Sequence, residues 1–226
     1  MPDFAAARRT MVDGQVRTSD VTDLRLIAAM LDLPRERFVP QDKMEIAYLD
    51  LDVPVSGPTD RAGAPVRRLL KPMVLAKLIQ AADIGEADRV LDIGCAMGYS
   101  SALLGRLAGT VIALDDDAAL AQIAGKTLAA LGSANVTVAM GPLTAGWPAG
   151  GPYDVIMLEG ATEVVPAAGL FGQLKDGGRL VCVLGRGPAG KAMLFRSLKG
   201  EFSGRRIFDS AAPILPGFAK TAEFVF

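Results

Sequence analysis

One stretch of the sequence, residues 88–99, restricts the possible fold more than any other. It reads DRVLDIGCAMGY, in which an apolar strand leads into a turn with Gly94 and Gly98 and a helix-like segment begins at once. A second apolar run, residues 111–114, ends in Asp115. These are the parts of a nucleotide-binding βαβ unit, in which an acid after the second strand binds the ribose. The pattern therefore predicts a nucleoside site at this turn.

The glycine spacing indicates which ligand the turn suits. A dinucleotide site requires G-x-G-x-x-G, whereas Ala96 stands between Gly94 and Gly98 here. Because the glycine that lets the backbone approach a pyrophosphate is missing, S-adenosylmethionine fits the pattern better than a dinucleotide. The alternative is a turn without a ligand, since glycine follows a buried strand in many α/β proteins.

The rest of the chain alternates strands and helices, which predicts an α/β fold with a mostly parallel central sheet. Apolar runs such as VIML and LVCVL indicate strands buried on both faces. The C-terminal segments AMLFRSLKG, GRRIFDSAAPIL and TAEFVF predict antiparallel strands that complete the sheet. The predicted strands of the parallel part are residues 89–93, 110–114, 136–140, 154–158 and 179–184. The predicted helices between them are residues 99–107, 118–131 and 164–175.

The N-terminal part is predicted to be a helical extension rather than part of the sheet. Two apolar stripes at helical spacing precede Pro34, and Asp20 or Thr22 can cap the second helix. Residues 56–65 are rich in glycine, proline and polar residues and predict a loop. Pro72 then begins the first helix of the core, a position that suits proline.

We expect one domain over residues 1–226, since a chain of this length can bury one well-packed core. Residues 1–71 form its helical N-terminal and substrate-side segment, in which FVP and IAYLDLDVPV indicate a lid or a substrate-side layer. Residues 72–226 form the Rossmann-like core. No pattern in the sequence sets the oligomeric state.

Composition excludes several kinds of chemistry. The chain contains no histidine, which excludes a Ser-His-Asp triad, a Cys-His dyad and histidine metal ligands, and we expect no metal site. Cys95 and Cys182 lie at or inside apolar strands, which argues against a disulfide. The net charge of −1 gives no general attraction to nucleic acid or to an anionic membrane. Without a membrane-length apolar run or a signal-peptide pattern, we expect a cytoplasmic protein.

A basic segment precedes the core. It contains no acidic residue between positions 61 and 77, and its five cations are Arg61, Arg67, Arg68, Lys71 and Lys77. One interpretation is an electropositive rim that attracts a carboxylate or phosphate of the substrate. The other is ordinary surface charge on a solvated loop.

Several motifs resemble those of one enzyme family, the protein-L-isoaspartate (D-aspartate) O-methyltransferases. The similarity covers roughly residues 8–185. At the N-terminus it is found in MVDGQVR, AMLDLPRERFVP and AYLD, and in the core in VLDIGCAMGYS, PYDVI and QLKDGGRLV. The resemblance implies a class I S-adenosylmethionine-dependent methyltransferase with a Rossmann-like fold. It also implies a protein or peptide substrate, in which the free carboxyl of damaged L-isoaspartyl residues is methylated for repair.

The resemblance also implies roles for particular residues. Asp92 would support the cofactor site, and Asp115 would hold the ribose of S-adenosylmethionine. The residues that would border its methionine and sulfonium part are Gly94, Cys95, Ala96 and Gly98.

Three positions depart from the family pattern. When Pro72 is aligned with the family proline, Leu70 occupies the place of a hydroxyl residue that contacts the substrate carboxylate, so the catalytic group is unknown. Pro142 stands where the family has an acidic residue near the adenine, and Ala96 adds a methyl group to the glycine turn. Two alternatives follow. One is a methyltransferase whose cations recruit a different acidic acceptor, and the other is a non-catalytic cofactor-binding or interaction protein.

Overall fold

The computed structural model describes residues 2–56 and 66–220. The described residues form one two-stranded and one seven-stranded sheet. The strands are β1 (Val53–Pro54), β2 (Arg68–Leu69), β3 (Arg89–Ile93), β4 (Thr110–Asp115), β5 (Val136–Met140), β6 (Tyr153–Thr162), β7 (Leu174–Leu184), β8 (Lys191–Leu198) and β9 (Glu201–Asp209). The helices are α1 (Phe4–Met11), α2 (Leu24–Asp32), α3 (Pro72–Ala82), α4 (Tyr99–Gly105), α5 (Ala118–Ala130) and α6 (Ala168–Phe171).

The large sheet has the order β5-β4-β3-β6-β7-β8-β9. The five strands β5, β4, β3, β6 and β7 are mutually parallel, and β8 and β9 add in antiparallel pairs. The predicted mixed sheet is therefore confirmed. Because β3 lies between β4 and β6, the carboxyl ends of three neighbouring parallel strands meet at one edge, which is where open α/β sheets bind ligands.

The predicted core elements agree with the structure except near residue 164. The helix predicted over residues 164–175 is only Ala168–Phe171, and strand β7 begins at Leu174, where it pairs with Tyr153 of β6. Pro166 cannot lie inside a regular helix because it has no N–H to donate, which keeps the preceding residues out of the helix.

The N-terminal extension is helical, as predicted, but its caps differ. Asp23 caps α2 by accepting a hydrogen bond from Arg25 N at 2.9 Å, whereas Asp20 has a left-handed backbone and Thr22 N donates to Gln80. Pro72 is the first residue of α3, as predicted. The segment predicted as a lid or a substrate-side layer follows the 3₁₀ turn Arg35–Phe38 and contains the 3₁₀ turn Gln41–Ile46 and β1, which pairs with β2. Nearly all of the predicted loop over 56–65 and the TAEFVF strand lie outside the described residues.

Cys95 and Cys182 are both buried free thiols. In the part of the chain that the structure describes, no helix combines the length and the apolar character needed to cross a bilayer.

Candidate active site

Two backbone amides hold the Asp115 carboxylate beside the turn that follows β3. The amide of Ala96 donates to Asp115 Oδ2 at 2.7 Å, and the amide of Asp117 donates to Oδ1 at 3.0 Å. Gly94 N and Cys95 N both donate to the carbonyl of Leu114, which ties the turn to the end of β4. The acid predicted to bind ribose is therefore fixed beside the predicted glycine turn by short backbone hydrogen bonds.

One cation of the basic segment, Arg67, forms a buried ion pair with this acid. Arg67 Nη2 lies 2.7 Å from Asp115 Oδ2, and Arg67 Nη1 lies 3.0 Å from Asp116 Oδ1. The Asp115 side chain is fully buried and that of Arg67 is 7% exposed. Burial raises the pKa of Asp115, and the positive charge of Arg67 opposes this rise. Arg67 is thus part of the candidate site, and not of an exposed rim.

Leu215, which the sequence analysis missed, packs on the glycine side of the turn. A methyl group placed on Gly94 would lie 2.9 Å from Leu215 Cδ2 and 3.2 Å from Arg67 Nη2. A methyl group on Gly160 would lie 2.7 Å from Leu215 Cγ. Leu215 is held there because its amide donates to the carbonyl of Ala161 at 2.9 Å. A residue with a side chain at position 94 or 160 would displace Leu215, so both positions require Gly.

The other predicted turn residues have different surroundings. Ala96 has φ +51°, a conformation that costs a residue with a side chain about 1–2 kcal/mol, and its methyl group belongs to the buried apolar cluster. Gly98 faces α5, since a methyl group there would meet Ala124 and Leu128 at 3.3 Å. Burial raises the pKa of the Cys95 thiol far above its usual value, so this thiol stays protonated.

Asp92 lies at the centre of a buried polar group. Its Oδ2 accepts hydrogen bonds from the hydroxyls of Ser100, at 2.8 Å, and Ser101, both in the first turn of α4. Burial raises the pKa of Asp92 to about 6, against the opposing effect of the two serines. Asp92 Oδ1 is buried and accepts no hydrogen bond from an N–H group or a hydroxyl of the described residues, and the carboxyl of Glu159 hydrogen-bonds to Asp92.

Glu159 is a second buried acid that the sequence analysis missed. It lies in β6 two residues beyond Met157, the residue paired with Asp92 of β3, and its carboxyl group hydrogen-bonds to that of Asp92. Burial raises the pKa of Glu159 well above its usual value, and the charge of Asp92 raises it further. Of the two buried acids, Glu159 is the one whose protonated form is favoured more strongly. An acid directly after the apolar run VIML was the available sequence signal.

We expect Glu159→Gln to flatten the pH dependence of stability. Because the folded pKa of Glu159 is raised, the wild-type protein gains stability below the unfolded pKa of about 4.3 and loses it as pH rises through the folded pKa. The loss per titrating proton reaches about 1.4 kcal/mol per pH unit, and Gln cannot titrate. Urea unfolding from about pH 5 to about pH 8 measures the two slopes. Exposed Glu201→Gln is the control, and parallel profiles for Glu159→Gln and wild type would refute the assignment.

Leu70 lies in the apolar core. Its side chain is 1% exposed, and its carbonyl accepts a hydrogen bond from Arg35 Nη2 at 2.6 Å. Arg35 is itself fully buried, donates from Nε to the carbonyl of Ala47, and lies over the ring of Tyr99. The position aligned with the family hydroxyl is thus part of the packing between the N-terminal extension and the core.

The basic residues do not form a common surface. Arg68 is exposed and donates to the carbonyl of Asp52, whereas Lys77 lies over the ring of Phe208. The amide of Lys71 donates to the Asp52 carboxylate. Arg61 lies outside the described residues. Of the four described cations, only Arg67 reaches the candidate site.

Pro142 starts a 3₁₀ turn beyond β5. A methyl group on the preceding Gly141 would lie 3.3 Å from the ring of Trp147, so an indole borders this end of the site. The departure predicted from sequence is therefore accompanied by an aromatic neighbour that the family alignment did not indicate.

The residues present suit S-adenosylmethionine in two respects. Asp115 is an acceptor at the position where ribose is bound in related folds. The buried oxygens Asp92 Oδ1 and Glu159 Oε1 receive no N–H or hydroxyl donor from the described residues beyond the hydrogen bond between the two carboxyl groups, and the ammonium group of this cofactor carries donors. The guanidinium of Arg67, which forms an ion pair with Asp115, would have to move for a ribose to bind this carboxylate through both hydroxyls.

Comparison with known proteins gives relatives along most of the chain. A protein-L-isoaspartate O-methyltransferase from Roseiflexus sp. (strain RS-1) is 34% identical over 223 residues, which cover 98% of this chain and 97% of the relative. Protein-L-isoaspartate O-methyltransferase 1 from Rhodopseudomonas palustris (strain HaA2) is 38% identical over 183 residues, 80% of this chain and 71% of the relative.

Solved structures agree at the level of the fold. A protein-L-isoaspartate O-methyltransferase structure has a TM-score of 0.78 at 24% identity and covers 93% of this chain and 66% of its own. A putative protein-L-isoaspartate O-methyltransferase from Plasmodium falciparum, in complex with S-adenosyl-L-homocysteine, has a TM-score of 0.74 at 16% identity and covers 95% and 99% of the two chains.

A family model matches most of this chain. The model described as Protein-L-isoaspartate(D-aspartate) O-methyltransferase matches residues 7–209. These matches confirm the resemblance and the class I fold. They also confirm an S-adenosylmethionine-dependent enzyme whose general kind of substrate is a protein. By the extent of this match and the identity of its relatives, the chain belongs to the protein-L-isoaspartate (D-aspartate) O-methyltransferase family.

Proposed function

We propose that this chain transfers a methyl group from S-adenosylmethionine to the free carboxyl of L-isoaspartyl residues in damaged proteins. The observation that carries the proposal is the position of Asp115, fully buried at the end of β4 and bonded to the turn of β3. An acid at this position supports a nucleoside cofactor, and the family match extends over the N-terminal substrate-side segment as well as the core.

The reaction demands little acid-base chemistry from the protein. S-adenosylmethionine supplies a methyl group on a sulfonium, and the accepting carboxylate is already ionised at neutral pH. Alignment and exclusion of water are therefore the main contributions of the chain, and alignment alone can supply about 7–11 kcal/mol. A protein without histidine can provide both.

Individual residues have defined parts in this proposal. Asp115 accepts hydrogen bonds from ribose hydroxyls, and the buried oxygens of Asp92 and Glu159 accept from the ammonium group. Leu215, which packs over Gly94, excludes water from the methionine side. The chemical type, the position and the burial of each side chain support its role.

The acceptor is tested by transfer of labelled methyl to an isoaspartyl peptide, with the aspartyl peptide as control. We expect base-labile label in the isoaspartyl peptide alone, since a carboxyl ester hydrolyses in mild base. The rate should lie about 10- to 150-fold below that of members with the substrate hydroxyl, because one charge-assisted hydrogen bond contributes about 1.5–3 kcal/mol. No transfer, at protein concentrations that would reveal an enzyme impaired about a thousandfold, would refute the proposal.

The burial of Leu70 favours a second candidate, the same transfer to a different acidic acceptor. With a buried leucine at the aligned position, no hydroxyl there can orient an isoaspartyl carboxylate. This candidate predicts base-labile label in acidic peptides that contain no isoaspartate. Family membership favours either enzymatic candidate over a non-catalytic role.

The place of the chain in the cell is also a proposal. We propose a cytoplasmic protein, and the two free, buried thiols at Cys95 and Cys182 support a reducing compartment.

A further inference from the structure

The Asp115 carboxylate has little hydrogen-bonding capacity left for a ribose. Its Oδ2 accepts from Ala96 N and from Arg67 Nη2, both at 2.7 Å, and its Oδ1 accepts from Asp117 N at 3.0 Å. Since a carboxylate oxygen accepts about two hydrogen bonds, Oδ2 is fully used and Oδ1 can accept one more. The two neighbouring hydroxyls of a ribose therefore cannot both bind Asp115 while Arg67 is bonded to it.

Arg67 also takes the space beside the turn. Its Nη2 would lie 3.2 Å from a methyl group placed on Gly94, so the guanidinium touches the surface that the glycine leaves open. The second ion pair, to Asp116, holds the guanidinium plane across the end of β4. Charge and position together place Arg67 where the cofactor would lie.

Rotation of the Arg67 side chain is enough to free the Asp115 carboxylate. The backbone of Arg67 is anchored separately, because its amide donates to Ser56 Oγ at 2.8 Å and its carbonyl accepts from Val55 N at 2.9 Å. An arginine side chain has several staggered rotamers that leave the backbone in place. No strand has to separate for the Asp115 carboxylate to become free.

We propose that Arg67 competes with the cofactor ribose for Asp115 and so sets the affinity of the site. Arg67 leaves Asp115 when the cofactor binds, and the apparent affinity is the intrinsic affinity multiplied by the fraction of molecules in which the ion pair is open. This inference rests on the proposed function, since it assumes a ribose-containing cofactor at Asp115. It adds a role for a residue that the family motifs do not include.

The experiment is calorimetric titration of S-adenosylhomocysteine, which has no net charge, into wild type and three variants. Arg67→Ala removes the ion pair and the bulk, whereas Arg67→Met removes the ion pair and keeps most of the bulk. Arg68→Ala is the matched control, because Arg68 is the adjacent cation and is exposed on the other side of the segment. We expect both Arg67 variants to bind at least about tenfold more tightly than wild type and Arg68→Ala to stay within about twofold.

The outcomes separate the inference from the proposed function. Arg67→Ala that binds no better than wild type, or not at all, overturns the inference, and so does tightening in Arg67→Ala without tightening in Arg67→Met. The methyl-transfer assay on wild type decides the proposed function independently of these titrations.

A second measurement does not depend on any variant folding. In a crystal structure of the wild-type protein with S-adenosylhomocysteine, we expect the ribose hydroxyls on Asp115 and Arg67 Nη2 beyond hydrogen-bond distance from it. A complex that keeps the ion pair of Arg67 and Asp115 closed overturns the inference.

Discussion

Replacing Asp115 with alanine should lower the free energy of unfolding by about 3–5 kcal/mol, because it leaves one partner of a buried ion pair without its closest counter-charge. Arg67 would then have only Asp116 as a carboxylate partner in the described site, at 3.0 Å, and two backbone donors, Ala96 N and Asp117 N, would lose their acceptor. Urea unfolding measures the loss. The same variant should lose measurable binding of S-adenosylhomocysteine.

Two comparisons test the cause of this effect. Asp116→Ala removes the outer partner, whose side chain is 27% exposed, and should cost clearly less. The double variant Asp115→Ala/Arg67→Ala should regain part of the loss, since it removes the unpaired cation as well. A loss no larger than that of Asp116→Ala, together with strict additivity in the double variant, would show that the ion pair contributes little.

Restoring the hydroxyl of the family at position 70 should destabilise the protein without improving catalysis. Leu70 is buried in the same apolar cluster as Leu75 and Tyr99, so Leu70→Ser loses about 2–5 kcal/mol from the cavity. A buried hydroxyl without a partner adds about 1–3 kcal/mol to this loss. Urea unfolding gives the stability, and methyl transfer to the isoaspartyl peptide gives the activity.

Leu70→Ala is the matched control, because it creates a similar cavity without a hydroxyl. We expect Leu70→Ser to be no more active than Leu70→Ala. If Leu70→Ser were about tenfold more active than Leu70→Ala, the hydroxyl would reach the acceptor, and position 70 would belong to the active site rather than to the core.

The predictable part of this protein is the part encoded by neighbouring residues. The strand, the glycine turn and α4 follow one another directly, and Asp115 ends the next strand. Periodicity and turn chemistry in such windows reflect local backbone preferences and burial on two faces of a sheet. The antiparallel end of the sheet and the cofactor class could be predicted for the same reason.

The prediction of a core helix over residues 164–175 was wrong because a local pattern does not show what lies beside a segment. An apolar stretch between residues 164 and 175 suggested a helix, but Pro166 and the pairing of Leu174 with Tyr153 limited it to Ala168–Phe171. Whether such a segment extends a helix or a strand depends on what lies beside it, and pairing with β6 satisfies its backbone groups.

The sequence by itself determined the βαβ unit, the position of the acid Asp115 at the end of its second strand and the family, because these depend on the order of residues along the chain. Only the tertiary structure decided which side chains face that acid. Arg67 is 48 residues from Asp115 in sequence, and Leu215 reaches Gly94 from near the opposite end of the chain. A buried carboxylate requires a counter-charge and backbone donors, but no local pattern specifies which of several nearby cations supplies the charge. That choice follows from how the N-terminal extension and the C-terminal segment pack on the edge of the sheet.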